Sequence, residues 1–194
     1  MHTTQSWLRP KDYFFFNLPS IFASKYGLLP EREPFTAPIA NGQALKKMNV
    51  FETQQKLREA GLDSVPTQLI MVDDESWFRE LISEYLYDQC RLGTEQFSSS
   101  SRFIQSYREG DERIIILDYE FTNDVNGLTV LKHIRKVNPF ASVIMLSGQD
   151  DLEAAVETLR YGAADYFVKT NKTVFANVLS SIIKLLELQR IARN

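Results

Sequence analysis

The 194-residue chain is poor in cysteine and has no long apolar run. Cys90 is its single cysteine, which excludes an intramolecular disulfide, and a buried apolar role is expected for it. No apolar stretch approaches the roughly 20 residues of a membrane-spanning helix. The N-terminus lacks the basic start and apolar core of a secretory signal. We therefore expect a cytoplasmic protein without a membrane partner.

The chain also lacks a strong excess of either charge. Its formal net charge is −3 at pH 7, which gives no basic footprint for nucleic acid. No helix-turn-helix pattern is visible, and nothing like an output domain follows the last predicted helix. These absences predict that the chain by itself does not bind nucleic acid.

Proline is scarce after residue 66, since six of the seven prolines lie at or before Pro66. Their density argues against long regular elements between residues 9 and 40. The same stretch is rich in aromatic residues, in which disordered linkers are usually poor. We expect residues 1–40 to form an irregular arm packed on the rest of the chain, on a second copy (a homodimer) or on a partner.

A helix is predicted over residues 43–60, where apolar residues recur at roughly helical spacing and Gly61 is a plausible C-cap. It could pack on the neighbouring domain or serve as a dimerisation helix. Residues 1–66 are thus interpreted as an N-terminal extension.

From Gln68 onward, short apolar runs alternate with helical stripes, which predicts an α/β domain with a parallel sheet. In the helix predicted over 151–161, we expect Leu152, Ala155, Val156 and Leu159 to face inward. The predicted strands lie at 69–72, 95–97, 114–117, 142–146 and 166–168, and the other helices at 75–88, 103–107, 128–134 and 174–186.

Polar residues follow the best-defined strands: Asp73 and Asp74, then Asp118, Ser147 and Lys169. Right-handed crossovers bring the C-terminal ends of parallel strands to one edge, where ligands bind. Taken singly, one aspartate could be a helix N-cap, the serine another cap, and the lysine a solvated residue. Their joint placement instead predicts a site for a divalent metal and a phosphoryl group.

The chemistry of these residue types supports that interpretation. An aspartate can attack a phosphoryl group and form an aspartyl phosphate. Mg²⁺ removes the repulsion between the two anions and prefers one or two carboxylates plus phosphate oxygens and waters. Lys169 can pair first with Asp118 and then with a phosphoryl oxygen, and Ser147 can donate its hydroxyl to another.

Four segments carry a family resemblance: LIMVDDESWFRELI, IIILDYEFTNDVNGLTVLKHIR, VIMLSGQDD and GAADYFVKT. Through them residues 67–194 resemble a two-component response-regulator receiver domain. The resemblance implies a flavodoxin-like, five-stranded parallel sheet of order 2-1-3-4-5 flanked by helices. It also implies that a sensor histidine kinase or phosphotransfer protein donates a phosphoryl group to Asp118.

The resemblance further implies the roles of the neighbouring residues. Asp73, Asp74 (directly or through water), Asp118 and the backbone carbonyl of Glu120 would hold Mg²⁺. In addition, Ser147 would match the family's hydroxyl switch residue, Tyr166 its aromatic switch and Lys169 its lysine.

The chain departs from the family pattern at several positions. Thr170 follows Lys169 where the family usually has proline after a cis peptide, and because a non-proline cis bond costs about 2.5–4 kcal/mol, a trans peptide is expected. Phe121 and Thr122 replace a Met-Pro pair. Glu120 and Gln149 occupy positions that tune phosphoryl lifetime in the family.

The expected function is a phosphorylation-activated response regulator that switches an interaction surface for an unknown downstream protein. It would not be an enzyme beyond its own Mg²⁺-dependent phosphorylation and autodephosphorylation. One alternative is a phosphorylation-independent scaffold acting through residues 1–66. Another is a phosphohydrolase, although such enzymes usually carry a second aspartate where this chain has Glu120.

Overall fold

The computed structural model describes Gln55 and residues 68–193. The predicted arm of residues 1–40 and the boundary at residues 66/67 lie outside the described residues, as does the predicted helix 43–60 apart from Gln55. These three interpretations therefore stay predictions.

Five strands and five helices alternate along residues 68–193. None of these helices is long and apolar enough to cross a membrane. In chain order they are β1 (Gln68–Val72), α1 (Ser76–Cys90), β2 (Gly93–Phe97), α2 (Ser100–Ser106), β3 (Ile115–Asp118), α3 (Gly127–Val137), β4 (Val143–Ser147), α4 (Leu152–Arg160), β5 (Asp165–Val168) and α5 (Val174–Arg193).

The strands form one parallel sheet of order β2-β1-β3-β4-β5, which confirms the predicted topology. In the central register Met71 pairs with Ile116, and Ile116 with Ile144. Because every pair is parallel, the C-terminal ends of β1, β3, β4 and β5 lie along the same edge. This alignment positions the residues that follow the strands.

Helices cover both faces of the sheet, and this explains the unbroken apolar strands. Side chains alternate between the faces of a strand, so a strand covered on both sides is apolar throughout. In β1, β3 and β4 the apolar residues are all buried, Ile116 and Met145 completely. Ile70, Ile115 and Val143 belong to the core cluster shared with α2 and α3.

The predicted inward face of α4 is wrong. Leu152, Val156 and Leu159 are 77%, 41% and 47% exposed, while Ala154 and Thr158 are the buried residues of the helix. Ala155 is half-buried. The small side chains at 154 and 158 let the helix lie close to the sheet. The hydroxyl of Thr158 can be buried there because it donates to the carbonyl of Ala154 at 2.9 Å.

Arg135, near the end of α3, joins this helix to the segments that lead into β4 and β5, at the N-terminal ends of these strands. Its guanidinium donates to the carbonyls of Pro139 at 2.8 Å, Ala141 at 2.7 Å and Tyr161 at 3.3 Å, and also to that of Gly162. Gly162 has φ 91°, and a Cβ there would lie 2.7 Å from Arg135 Nε. Arg135 thereby fixes the point at which α4 turns into β5.

Replacing Arg135 with alanine should lower the free energy of unfolding by about 2–3 kcal/mol, because four carbonyls, of which that of Ala141 is partly buried, lose a charged donor. Urea denaturation followed by circular dichroism measures the change. Lys136→Ala is the matched control, since Lys136 is the adjacent, exposed cation on α3 and its loss should cost no more than about 0.5 kcal/mol. Equal losses in the two variants would contradict the role given to Arg135.

Candidate functional site

Four polar residues singled out in the sequence lie together at the C-terminal edge of the sheet. Asp73 follows β1, Asp118 ends β3, Ser147 ends β4 and Lys169 follows β5. Their exposed fractions are 0%, 2%, 1% and 4%. Charged residues are rarely buried this deeply unless they are paired, so the site must balance its charges internally or with a ligand.

Lys169 is at the centre of this charge balance. Its Nζ lies 2.8 Å from Asp118 Oδ2, 2.9 Å from Asp73 Oδ2 and 3.1 Å from Glu75 Oε2. Nζ also lies 4.9 Å from the centre of the Phe78 ring. Burial opposes the charged ammonium, but the charges of Asp73 and Asp118 outweigh it and raise the pKa of Lys169. The lysine is therefore a fixed cation at neutral pH.

The pKa values of the two buried carboxyls are also raised, which for an acid disfavours the charged form. Burial, with the charge of Asp73 added, raises the pKa of Asp118 to about 7, although Lys169 partly offsets the effect. Burial likewise raises the pKa of Asp73, again against the lowering influence of Lys169. One ammonium therefore does not fully compensate the carboxylates, and the site favours additional positive charge.

The carboxylates can supply a cation site. Oxygen atoms of Asp73, Asp74 and Asp118 all lie within 4.8 Å of one another. Carboxylate oxygens are the ligands that Mg²⁺ prefers, and the uncompensated charge described above favours a divalent ion. The donor set therefore fits the predicted metal.

Backbone hydrogen bonds fix two of these carboxylates. Asp73 Oδ1 accepts the N–H of Glu75 at 2.8 Å, and Asp74 Oδ2 accepts the N–H of Thr122 at 2.8 Å. The N-cap of α1 is Glu75, so the capping alternative weighed for the two aspartates does not hold in this structure. Asp74 instead joins the loop after β1 to the loop after β3.

Sequence reasoning missed two residues of the site, Glu75 and Arg79. Arg79 Nη1 donates to the backbone carbonyl of Asp73 at 2.6 Å, and its Nε donates to Gln96 Oε1 at 3.2 Å. Arg79 thereby links the loop after β1, which carries Asp73, to β2. A third consecutive acid after Asp73 and Asp74 was a usable signal for Glu75, whereas nothing local marked Arg79.

Glu120 and Gln149 bridge the loops that follow β3 and β4. Gln149 Nε2 donates to Glu120 Oε1 at 2.8 Å, and a Cβ at position 148 would lie 3.3 Å from Glu120 Oε2. Glu120 and Gly148 line a cavity of about 250 Å³ that also reaches Asp118 and Lys169. The bridge therefore lies along the wall of the space that a ligand of Asp118 would enter.

The two predicted switch residues are neighbours on adjacent strands. Ser147 Oγ donates to the carbonyl of Gln149 at 3.0 Å and accepts its N–H at 3.1 Å. The Tyr166 hydroxyl is buried, and this burial raises the pKa of Tyr166. The neighbouring hydroxyl of Ser147 has a smaller, lowering effect on the same pKa. In this structure the side chain of Tyr166 is thus turned inward.

The loop after β5 has ordinary backbone geometry. No peptide bond in residues 68–193 is cis, so the predicted trans Lys169–Thr170 peptide is confirmed. The N–H of Asn171 donates to the carbonyl of Val168 at 3.0 Å, which turns the chain toward α5.

Comparison with known proteins finds the same domain in response regulators. The family model of the response regulator receiver domain matches residues 69–178. An NtrX-like response regulator of Rickettsia felis is 31% identical over 102 residues, which are 52% of this chain and 21% of that protein. The chemotaxis protein CheY of Bacillus subtilis is 22% identical over 102 residues, covering 53% of this chain and 84% of that one.

A solved structure gives the same result. The receiver domain of NtrX from Brucella abortus is similar with a TM-score of 0.53 and 26% identity, over 60% of this chain and 98% of that one. Because the matched segment spans only 21% of the NtrX-like protein of R. felis, this similarity concerns the receiver part alone.

Proposed function

The chain belongs to the response regulator receiver family, and from this we propose that Asp118 accepts a phosphoryl group from a sensor histidine kinase or a phosphotransfer protein. One observation carries the proposal: Lys169 Nζ lies 2.8 Å from Asp118 Oδ2 in a buried site that also contains Asp73. A buried carboxylate beside a fixed cation and a second acid is arranged for the chemistry of an anionic group.

In the proposed transfer, a carboxylate oxygen of Asp118 attacks phosphorus and forms an acyl phosphate. The bond from phosphorus to the donor nitrogen of a phosphohistidine breaks, and its electron pair leaves with the imidazole, which takes up a proton. Lys169 then donates to a phosphoryl oxygen in place of the aspartate oxygen. Asp118 reacts as the anion, so a proton that it carries near its raised pKa of about 7 passes to solvent before the attack.

Asp73, Asp74, Asp118 and the carbonyl of Glu120 would hold Mg²⁺ in this proposal. When bound, the ion neutralises the charge that accumulates on the phosphoryl oxygens. The chain's own part is positioning: Arg79 holds the Asp73 carbonyl, and Thr122 holds Asp74 by a backbone bond.

The proposed readout is a change of surface. Ser147 would turn toward the phosphoryl group and leave its bonds to Gln149, which alters the space beside Tyr166. The surface of α4, β5 and α5 would then present a different shape to a downstream protein. A coupling of about 1–3 kcal/mol is enough to change partner affinity at least severalfold. In this proposal the chain catalyses nothing beyond its own phosphorylation and dephosphorylation.

Incubation with acetyl phosphate and Mg²⁺ tests the proposal. The chain should gain one phosphoryl group, which hydroxylamine removes because it is an acyl phosphate, and chelation of Mg²⁺ should prevent the gain. Intact-mass spectrometry before and after hydroxylamine measures both. An unmodified chain, or a modification that resists hydroxylamine, would contradict the proposal.

The second candidate is a scaffold that acts through residues 1–66 without phosphorylation. The observation that favours it is the trans peptide after Lys169, where the family pattern has a cis proline. Absence of labelling together with absence of Mg²⁺ binding, measured by tryptophan fluorescence, would support this candidate instead.

A further inference from the structure

Glu75 occupies a helix N-cap but does not act as a cap. A side chain at this position normally accepts an N–H of the first helical turn. The Glu75 side chain makes no such bond. It crosses the site instead, with Oε2 lying 3.1 Å from Lys169 Nζ, and it lines the cavity above Asp118.

Three carboxylate oxygens surround the ammonium of Lys169. Nζ donates hydrogen bonds to Asp118 Oδ2 at 2.8 Å and Glu75 Oε2 at 3.1 Å, and Asp73 Oδ2 lies 2.9 Å away as an ion-pair partner that accepts no hydrogen bond. A phosphoryl oxygen arriving at Asp118 needs a place beside Nζ that these oxygens now fill. One carboxylate must therefore withdraw.

Burial identifies which carboxylate can leave at least cost. The side chains of Asp73 and Asp118 are 0% and 2% exposed, so releasing either leaves a buried charge without its partner. The Glu75 side chain is 44% exposed and can be hydrated when it separates from Lys169. Glu75 is thus the exchangeable partner of the three.

We propose that Glu75 is a positioning residue that restrains Lys169 in the unphosphorylated chain and gives way when a phosphoryl group enters. This rests on the proposed function of Asp118. Because Glu75 both occupies a donor of Lys169 and presents a negative charge to an anionic phosphodonor, it slows phosphorylation. It acts through Lys169 and not on the reacting atoms.

Glu75→Gln tests this directly, since it removes the charge and keeps the shape. At saturating Mg²⁺ the variant should be phosphorylated by acetyl phosphate about twofold to fivefold faster, the factor expected for a half-exposed ion pair. Its affinity for beryllofluoride, followed by tryptophan fluorescence, should rise by a similar factor. Without Mg²⁺, the Lys169 ammonium protons should exchange with water faster, as measured by NMR.

Glu80→Gln is the matched control, because Glu80 is an exposed glutamate on the same helix and its replacement changes the net charge equally. It should leave all three quantities unchanged. An equal rise in both variants, or a rate for Glu75→Gln at or below that of wild type, would overturn the inference while leaving Asp118 as acceptor. An unlabelled wild-type chain would instead overturn the proposed function itself.

Discussion

Replacing Asp118 with asparagine should abolish phosphorylation of the chain by acetyl phosphate. The amide has the shape of the carboxylate but lacks an anionic oxygen to attack phosphorus, so no acyl phosphate can form. Its carbonyl oxygen can still accept from Lys169, and the fold should therefore survive. Intact-mass spectrometry after incubation with Mg²⁺ and the phosphodonor should show only the unmodified mass.

Asp150→Asn controls for the loss of one negative charge near the site. Asp150 is exposed and lies three residues after Ser147, so its replacement should leave labelling at the wild-type level. Full labelling of Asp118→Asn would place the acceptor elsewhere. Loss of labelling in both variants would point to the net charge of this edge as the cause.

Replacing Lys169 with methionine should lower the free energy of unfolding by about 3–5 kcal/mol at pH 8 without divalent cations, because Asp73 and Asp118 would be left as buried charges without a cation. Methionine keeps the length of the stem, so packing changes little. Chemical denaturation of both proteins measures the difference. Added Mg²⁺ should stabilise the variant more than wild type, since it supplies the missing charge.

The destabilisation should depend on pH in a defined direction. When the pKa of a carboxyl is higher in the folded chain than its ordinary value of 3.8, the free energy of unfolding falls as the pH rises from 3.8 to the folded pKa. Above the folded pKa this loss of stability stays constant. For Asp118 the folded pKa is about 7 with Lys169 present, and the lysine lowers it. Without the lysine this window extends to higher pH, so the variant and wild type should differ most near pH 8 and least near pH 5.5.

Lys172→Met is the control for removing a lysine from this loop. Lys172 is exposed, and its loss should change stability by no more than about 0.5 kcal/mol. If Lys169→Met is as stable as Lys172→Met at pH 8, the buried carboxylates do not need the ammonium, and the charge balance described for the site is wrong.

The sheet and its polar edge could be predicted because two independent signals coincide there. The strands β1, β3 and β4 are covered on both faces, so each is an apolar run that needs no alternation to be recognised. Each run ends abruptly in a polar residue, as at Asp118 and Ser147. Parallel topology then brings these ends together without any knowledge of side-chain geometry.

The orientation of α4 could not be predicted in the same way. Its sequence contains an apolar stripe through Leu152, Val156 and Leu159 and a stripe of small residues through Ala154 and Thr158. Hydrophobicity alone selects the first stripe, whereas close approach to the sheet selects the second. The choice depends on the space between helix and sheet, which is a tertiary quantity.

The contact between Glu75 and Lys169 could not be predicted from the sequence either, because the two residues are 94 positions apart and meet only through the conformations of their side chains. A carboxylate after a strand is visible in a sequence. The direction in which a glutamate at a helix start points is not.

The hydrogen bonds of Arg135 hold one end of α4 and leave the other end free of this restraint. They hold its C-terminal end through the carbonyls of Tyr161 and Gly162. Its N-terminal end begins at Leu152, five residues after Ser147. If Ser147 moves as proposed above, a tilt of the helix about the end held by Arg135 displaces Leu152 the most, and Leu152 is its most exposed apolar residue.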